Sequence, residues 1–263
     1  MDLKEAQLTN YVAPLRHPWE LARVEVVFTL LKKQPELFGR KQTALDIGCG
    51  DVFLVEQLWY KMHNMEFIAI DTGFTDEILE AYNNRFAKNN IAIKVFKTLD
   101  GAFSEGEHNI TLVLLLDVIE HIDNDVEFLR QIQDHPGVDS DTIFLITAPA
   151  YQSLYSSHDR FLKHHRRYNI STLESTTTVA GLTSLRKGYF FSTLLPFRIG
   201  QVLLEKITKP SRVKGIGDWK GIRQIDALLK QILVVDFRIT NALHRIGIRV
   251  PGLSSYIVCK TTE

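Results

Sequence analysis

The sequence predicts an α/β fold, a mostly parallel sheet with helices on both faces, and three observations carry that reading. Short apolar runs alternate with stretches of helical periodicity from about Lys41 to Ala148. The run "ITLVLLLD" is apolar throughout, as a strand covered on both faces must be. Two glycines, Gly48 and Gly50, stand directly between the first run and the helix after it, where a parallel sheet meets its ligands.

Each element can be justified in turn. Leu21, Val24, Phe28 and Leu31 recur at helical spacing after "HPWE", and Pro35 closes that helix. "TALDI" reads as a buried strand and "VFLVEQLWYKM" as a helix. "FIAID" is a second strand, followed by a helix from about Thr75 to Lys88. "IAIKVF" and "ITLVLLLD" are the third and fourth strands. The polar helix "DNDVEFLRQIQ" leads to a fifth, "TIFLITA". Such alternation implies right-handed crossovers. Beyond Pro149 a basic run comes first, then "STLES", where Ser171 and Glu174 have capping-box spacing. "SLRKGYFF" is a sixth strand, residues 194–249 are helical with breaks at Pro196, Pro210 and "KGIGDWKG", and "SSYIVCKTT" alternates like a terminal strand. The chain thus divides into an N-terminal helical cap (1–40), a ligand-binding core (41–193), a helical insertion or lid (194–250) and a last strand of the core (251–263).

Composition narrows the function classes. With 45% hydrophobic residues the chain builds a core without disulfide or metal support. Two cysteines, Cys49 and Cys259, make no disulfide framework, so a reducing cytoplasmic setting is expected. "MDLKEAQLTN" is charged and lacks the apolar segment of a signal peptide, and no apolar run reaches the ~20 residues of a membrane span. The net charge of zero hides an asymmetry: residues 1–150 carry 13 Lys+Arg against 24 Asp+Glu, and residues 151–263 carry 18 against 7. Either the second part has a solvated basic face, or it meets something anionic, a phosphorylated substrate or a membrane surface.

"ALDIGCGD" admits two ligands. A dinucleotide site asks for G-x-G-x-x-G, but Phe53 holds the third position. A sulfonium nucleoside, S-adenosylmethionine, needs no helix dipole aimed at phosphate. It needs a carboxylate for the ribose diol, a polar partner for adenine and a carboxylate or carbonyls near its ammonium. Asp71 ends the second strand 25 residues after Asp46 and can accept from both ribose hydroxyls. Asp100, in "TLDGA", is placed for the adenine amino group, and Asp117 ends the fourth strand at the ligand edge. Cys49, Thr72 and Gly101 flank these positions and are counted with them.

"ALDIGCGD", "FIAID", "LDVIEHI" and "PAYQSLYSSHDRFLKHHRRY" together resemble a class I S-adenosylmethionine-dependent methyltransferase. The last resembles a bacterial subgroup whose pattern reads roughly W-S-x-H-D-x-x-L-x-H-x-R-R-Y, and "VPGLSSYIVCK" also fits it. The resemblance covers Trp19 to Phe191 and implies a Rossmann-like, seven-stranded fold. Two positions depart: Val52 stands at the usual third glycine of the loop, and Tyr155 replaces the tryptophan.

In that fold the loops after strands four and five face one pocket, so His121 would meet the cluster around His158 and Asp159. An alcohol or amine acceptor has to lose a proton, and His158 is the candidate base, with Asp159 or another carboxylate orienting its ring and His121 as substitute. "D-x-x-E-H" resembles the E-x-x-E-H metal motif of small-RNA 2′-O-methyltransferases and ubiquinone-pathway O-methyltransferases. A divalent ion on Asp117, Glu120 and His121, completed by His158 or His164, is therefore an alternative to metal-free chemistry. Arg166 and Arg167 are expected as anion holders, one of them pairing with a carboxylate, and Tyr151, His164 and Tyr168 complete the acceptor side. Nucleic acid is not an expected partner, because the run has few interleaved aromatics and no known RNA-binding signature. Residues 198–249 hold 11 Lys+Arg against 4 Asp+Glu. They read as a lid or dimer surface, or as a peripheral membrane contact in which Lys206, Lys209, Arg212 and Lys214 meet lipid head groups. The expected function is methyl transfer to a small-molecule or lipid-linked glycan acceptor, with O-methylation of an anionic sugar or secondary metabolite as its finer form. A non-catalytic nucleoside-binding subunit is the alternative, and a dehydrogenase the third.

Overall fold

The fold is known from a computed structural model that describes residues 16–103, 109–208 and 223–262. Lys209, Arg212, Lys214, Pro210 and the "KGIGDWKG" turn lie outside the described residues. Among the described residues seven segments become strands: β1 (Gln42–Ile47), β2 (Met65–Ile70), β3 (Ile93–Phe96), β4 (Ile110–Leu116), β5 (Val138–Pro149), β6 (Leu182–Phe190) and β7 (Ser254–Thr261). They form one sheet in the order β3-β2-β1-β4-β5-β7-β6. β1 to β5 pair in parallel, and β7 runs antiparallel between β5 and β6.

The side-chain period of a strand sorts the core into two layers. In β4, Leu112, Leu114 and Leu116 enter one layer, with α1 (Pro18–Leu31), α2 (Phe53–Lys61), α3 (Asp76–Lys88) and α9 (Arg223–Arg245). Val113 and Leu115 enter the other, with α4 (Leu99–Phe103), α5 (Asp125–Gln133) and α7 (Ile170–Val179). Both faces of the sheet are therefore covered, which is why β4 is apolar at every position but Thr111. α1 packs against α9, so the first and last described helices close one layer together. Two further helices lie at the sheet's edge: α6 (Ser157–Leu162) in the basic run and α8 (Leu195–Thr208) after β6. No described helix is long and apolar enough to cross a membrane.

Two details differ from the sequence reading. α7 is capped by Asn169, whose side chain accepts from the Thr172 amide, and not by Ser171 with Glu174. Asn169 offers the same capping chemistry two residues earlier. The stretch after β3, to which the sequence reading assigns no element, forms α4, which is too short to show a period.

Gly252 fixes how closely β7 approaches β6. A Cβ at this position would lie 2.4 Å from the Phe190 carbonyl oxygen and 2.9 Å from its amide nitrogen. Main chain cannot yield as a flexible side chain can. Gly252→Ala should therefore cost about 1–3 kcal/mol through overpacking, a loss of roughly 2–10 °C in melting temperature. Gly200→Ala, with nothing within 4 Å of the added methyl, should leave the melt unchanged or raise it. Paired thermal melts check this.

Candidate active site

The carboxyl ends of the parallel strands gather the unusual backbone of the molecule. Gly48 (φ 74°), Gly50 (φ 61°) and Val52 (φ 55°) follow β1, and Asp117 (φ 59°) follows β4. Tyr151 (φ 61°) and Phe191 (φ 62°) follow β5 and β6. A left-handed backbone costs a side-chain-bearing residue about 1–3 kcal/mol, and such strain concentrates at functional edges. Val52 keeps the conformation that a glycine would adopt freely, while its side chain joins the core. A polar cleft of about 430 Å³ between Lys33, Gln34, Glu36, Leu185, Arg186 and Lys260 lies away from this edge and holds none of the groups below.

The glycine turn is clamped from two sides. The amides of Gly48 and Cys49 donate to the Ile70 carbonyl at 2.7 and 3.0 Å. The Asp71 carboxylate accepts from the Gly50 amide at 2.9 Å and from the Gly73 amide at 2.9 Å. A Cβ on Gly48 would meet Val118 at 2.7 Å, so the loop after β4 sits directly on the turn. Asp46 lies under it, 2% exposed, and its Oδ1 has no hydrogen-bond partner among the described residues. Burial pushes its pKa up to about 8, with Asp71 adding to the shift and Arg23 opposing it. Cys49 is buried, and burial raises its thiol pKa. Thr72 is exposed after β2, while Asp100, exposed, and Gly101 lie on α4.

Arg23 of α1 is the charge that the sequence reading missed. It is buried, donates to Asp117 Oδ2 at 3.0 Å and Thr147 Oγ1 at 3.3 Å, and lies 5.1 Å from the Trp19 ring. Its field also reaches Asp46 and Glu120. A charge set among Ala22, Val24, Val26 and Val27 was the available signal, since an arginine on an apolar stretch needs a buried partner.

The basic run is built around one carboxylate. Asp159 is fully buried, in α6, and closes a capping box with Ser156. Its Oδ1 takes Arg167 Nε at 2.7 Å and faces His164 Nδ1 at 2.9 Å. Its Oδ2 takes Arg167 Nη2 at 3.0 Å and the Ser156 amide at 2.8 Å. Burial alone would raise its pKa, but the bonds from His164 and Arg167 outweigh it and hold the carboxyl well below the usual range. Arg198 of α8 also donates to Ser156 Oγ at 2.7 Å and stands 3.5 Å from Asp159, another contact the sequence reading lacked.

Several expected roles are corrected by these contacts. Asp159 orients the ring of His164, not that of His158: the two neighbours diverge on α6, where adjacent residues do not face each other. His158 is half-buried, and burial, reinforced by Arg198, pulls its pKa down to about 4. Arg167 takes the carboxylate-pairing role expected of one arginine, on Asp159, while Arg166, left as the anion holder, is occupied by Asp125 at 3.0 Å and the Asp123 carbonyl at 2.7 Å. Tyr168 is buried, its hydroxyl donating to Asp125 at 2.5 Å, so it belongs to the wall and not to an acceptor surface. Tyr151 stacks on Tyr189 with ring centroids 5.2 Å apart. Asp117 turns to Arg23 and leaves the expected metal set. Glu120, His121 and His164 come together instead, with one ligand atom of each within 4.8 Å of the others. The His165 amide, donating to the Glu120 carbonyl at 2.7 Å, joins the two loops.

No protein-family model and no curated protein matches this chain. Solved structures do. A putative sarcosine dimethylglycine methyltransferase from Galdieria sulphuraria aligns with a TM-score of 0.56 at 14% identity, over 91% of this chain and 86% of that one. The fold is that of the class I methyltransferases. A Haemonchus contortus phosphoethanolamine N-methyltransferase, solved with S-adenosylhomocysteine, aligns at 0.51 and 15% identity over 86% of this chain and 50% of that one. The [4+2]-cyclase SpnF aligns at 0.52 and 12% identity over 89% and 81%. A methyltransferase fold thus also carries a cyclase, and the reaction has to be argued from the site.

The low pKa of His158 fixes a sign. Folded, it stays neutral down to about pH 4, whereas the unfolded chain protonates near 6.5. Its contribution to stability is present above pH 6.5 and is lost as pH falls toward 4. Imidazole NMR titration should show one ring with no change between pH 8 and 5, and His158→Gln should remove that resonance.

Proposed function

We propose that the chain is an S-adenosylmethionine-dependent methyltransferase. The observation that carries this reading is Asp46, a buried carboxyl with an oxygen lacking any described partner, set beneath a glycine turn that Asp71 pins open. What such a group lacks is a cation, and the cofactor bears both an ammonium and a sulfonium. When bound, the cofactor supplies an electrophilic methyl group. Asp71, at the end of β2, is the group for the ribose diol, and Asp100 and Gly101 on α4 lie on the adenine side. The solved methyltransferases of this fold and the four motifs of the sequence support the same reading.

The chain's remaining task is to hold an acceptor in line with the methyl group in a dry site. The loops after β4 and β5 supply that wall, with His121, His158 and Tyr151 on it. His158 is uncharged at neutral pH and so is available to take a proton, although its low pKa makes it a weak base. Because Arg166 and Arg167 are both occupied, the acceptor's charge is left open, and the reading narrows to a small-molecule or lipid-linked acceptor. Titration calorimetry tests the cofactor. Asp71→Ala should abolish binding, with Asp71→Asn retaining part of it. At pH 7 a cation beside Asp46 lowers its pKa and expels its proton, so the binding enthalpy should depend on the buffer's ionisation enthalpy, and Asp46→Asn should remove that dependence. Binding without S-adenosylhomocysteine formation across hydroxyl and amine acceptors would leave a non-catalytic subunit, and preference for NAD would revive the dehydrogenase.

A membrane-borne acceptor is favoured by one feature. α9 buries Leu233, Val234 and Phe237 but exposes a second apolar stripe, Leu228, Ile232, Val235 and Ile239, and α8 exposes Phe197, Leu204 and Ile207. Residues 198–249 carry 11 basic against 4 acidic residues, which matches an anionic lipid surface. The chain should float with vesicles containing phosphatidylglycerol, and Ile207→Glu with Leu228→Glu should keep it in the dense fraction. Equal flotation of wild type and variant, or a concentration-dependent dimer with no flotation, would remove this reading.

A further inference from the structure

Where β4 ends, the turn Ile119–His121 meets the basic run, and three metal-ligating side chains from the two segments converge. One ligand atom each of Glu120, His121 and His164 lies within 4.8 Å of the other two. Around a tetrahedral ion with bonds near 2.1 Å, donors stand roughly 3.4 Å apart, a contraction that side-chain rotation supplies. The rings of His121 and His164 already meet edge to face, centroids 4.6 Å apart at 87°.

Two independent features point to a ligand at this place. Glu120 is fully buried, and neither carboxylate oxygen has a hydrogen-bond partner among the described residues. A carboxylate removed from water without donors or a counter-ion is costly, and a dication offsets that cost directly. The second feature is the tautomer of His164. The Asp159 carboxylate, held by Arg167 on both oxygens, faces Nδ1 at 2.9 Å, so in the neutral ring the proton sits on Nδ1 and Nε2 carries the lone pair. A carboxylate behind a histidine is the arrangement that orients and strengthens an imidazole as a metal ligand. The nearby arginines do not compete for Glu120, because Arg167 is spent on Asp159 and Arg23 on Asp117.

We infer that Glu120, His121 and His164 bind a divalent first-row transition ion, with Zn2+ as the reference, and leave a coordination position open. Two imidazoles and one carboxylate suit such an ion, whereas Mg2+ and Ca2+ take oxygen donors. Asp117 is not a ligand in this set. The binding stands on the side chains alone. The ion's role, polarising an acceptor oxygen so that it loses its proton beside a weak base such as His158, rests on the methyl-transfer reading.

The test uses the full chain, stripped with a chelator and titrated with Co2+, whose visible bands report a four- or five-coordinate site. Wild type should give bands that saturate at one equivalent and vanish when Zn2+ displaces the cobalt. Glu120→Gln, His121→Gln and His164→Gln should each lose them, and Asp159→Asn should weaken binding by ~10–100-fold with all three ligands in place. Circular dichroism shows which variants fold. Absence of a saturable signal in folded wild type overturns the site, as do undiminished bands in the three ligand variants. Calorimetry with S-adenosylmethionine on the stripped chain reports the cofactor reading separately. If cobalt binds while the stripped chain still transfers methyl groups at the full rate, the role toward the acceptor is overturned.

Discussion

The carboxyl-edge wall rests on the buried pairing of Asp159 with Arg167. Asp159 is fully buried and Arg167 nearly so, and each is intelligible only through the other. The guanidinium lays two N–H groups on the two carboxylate oxygens, the Ser156 amide closes the cap, and the His164 ring is aimed by what remains. Removing one partner from such a pair typically costs about 3–5 kcal/mol, because the other charge is stranded. The same contacts join α6 to the strand ends, since Arg167 also donates to the Ala150 carbonyl at 3.3 Å and the Tyr168 amide donates to the Pro149 carbonyl at 2.9 Å. The wall is thereby an ionic assembly on a hydrophobic scaffold, and its geometry is set before any ligand arrives.

Beside these contacts, electrostatics are short of positive charge. Asp46, Asp117 and Glu120 share the field of Arg23, and only Asp117 holds it as an ion pair. The other two therefore have raised pKa values, chiefly through burial. An arginine from a helix outside the strand–helix alternation thus decides which carboxylate is paired. It also ties α1 to the carboxyl edge of the sheet, although α1 contributes most of its residues to ordinary packing.

Much of the fold could be read from the residues because strands buried on two faces leave a local record. β4 is apolar at six of its seven positions, and its two layers follow from the period of two. α4 left no such record, being shorter than two helical turns. For the cap of α7, Asn169 and Ser171 offer the same chemistry, and only the tertiary course of the chain chooses between them. The members of the site were legible as a cluster: His121, His158, Asp159, His164, Arg166 and Arg167 were all marked out by residue type. Their pairings were not. Which histidine faces Asp159 depends on where α6 stops, and Lys163, with φ 62°, turns the chain so that His164 comes back over the carboxylate. Arg198 lies past a proline in a segment whose packing has no sequence period, and its contact with Ser156 comes only from the way α8 folds back.

The position of β7 has a consequence for how the chain is made. Among the described strands β6 pairs only with β7, and β7 is also the antiparallel neighbour of β5. During synthesis, β6 leaves the ribosome more than sixty residues ahead of its partner, with the apolar helices α8 and α9 emerging in between. An unpaired strand edge beside exposed apolar helices invites association between nascent chains. The parallel strands can assemble early, while the right-hand edge of the sheet must wait, and chaperone dependence should centre on that interval.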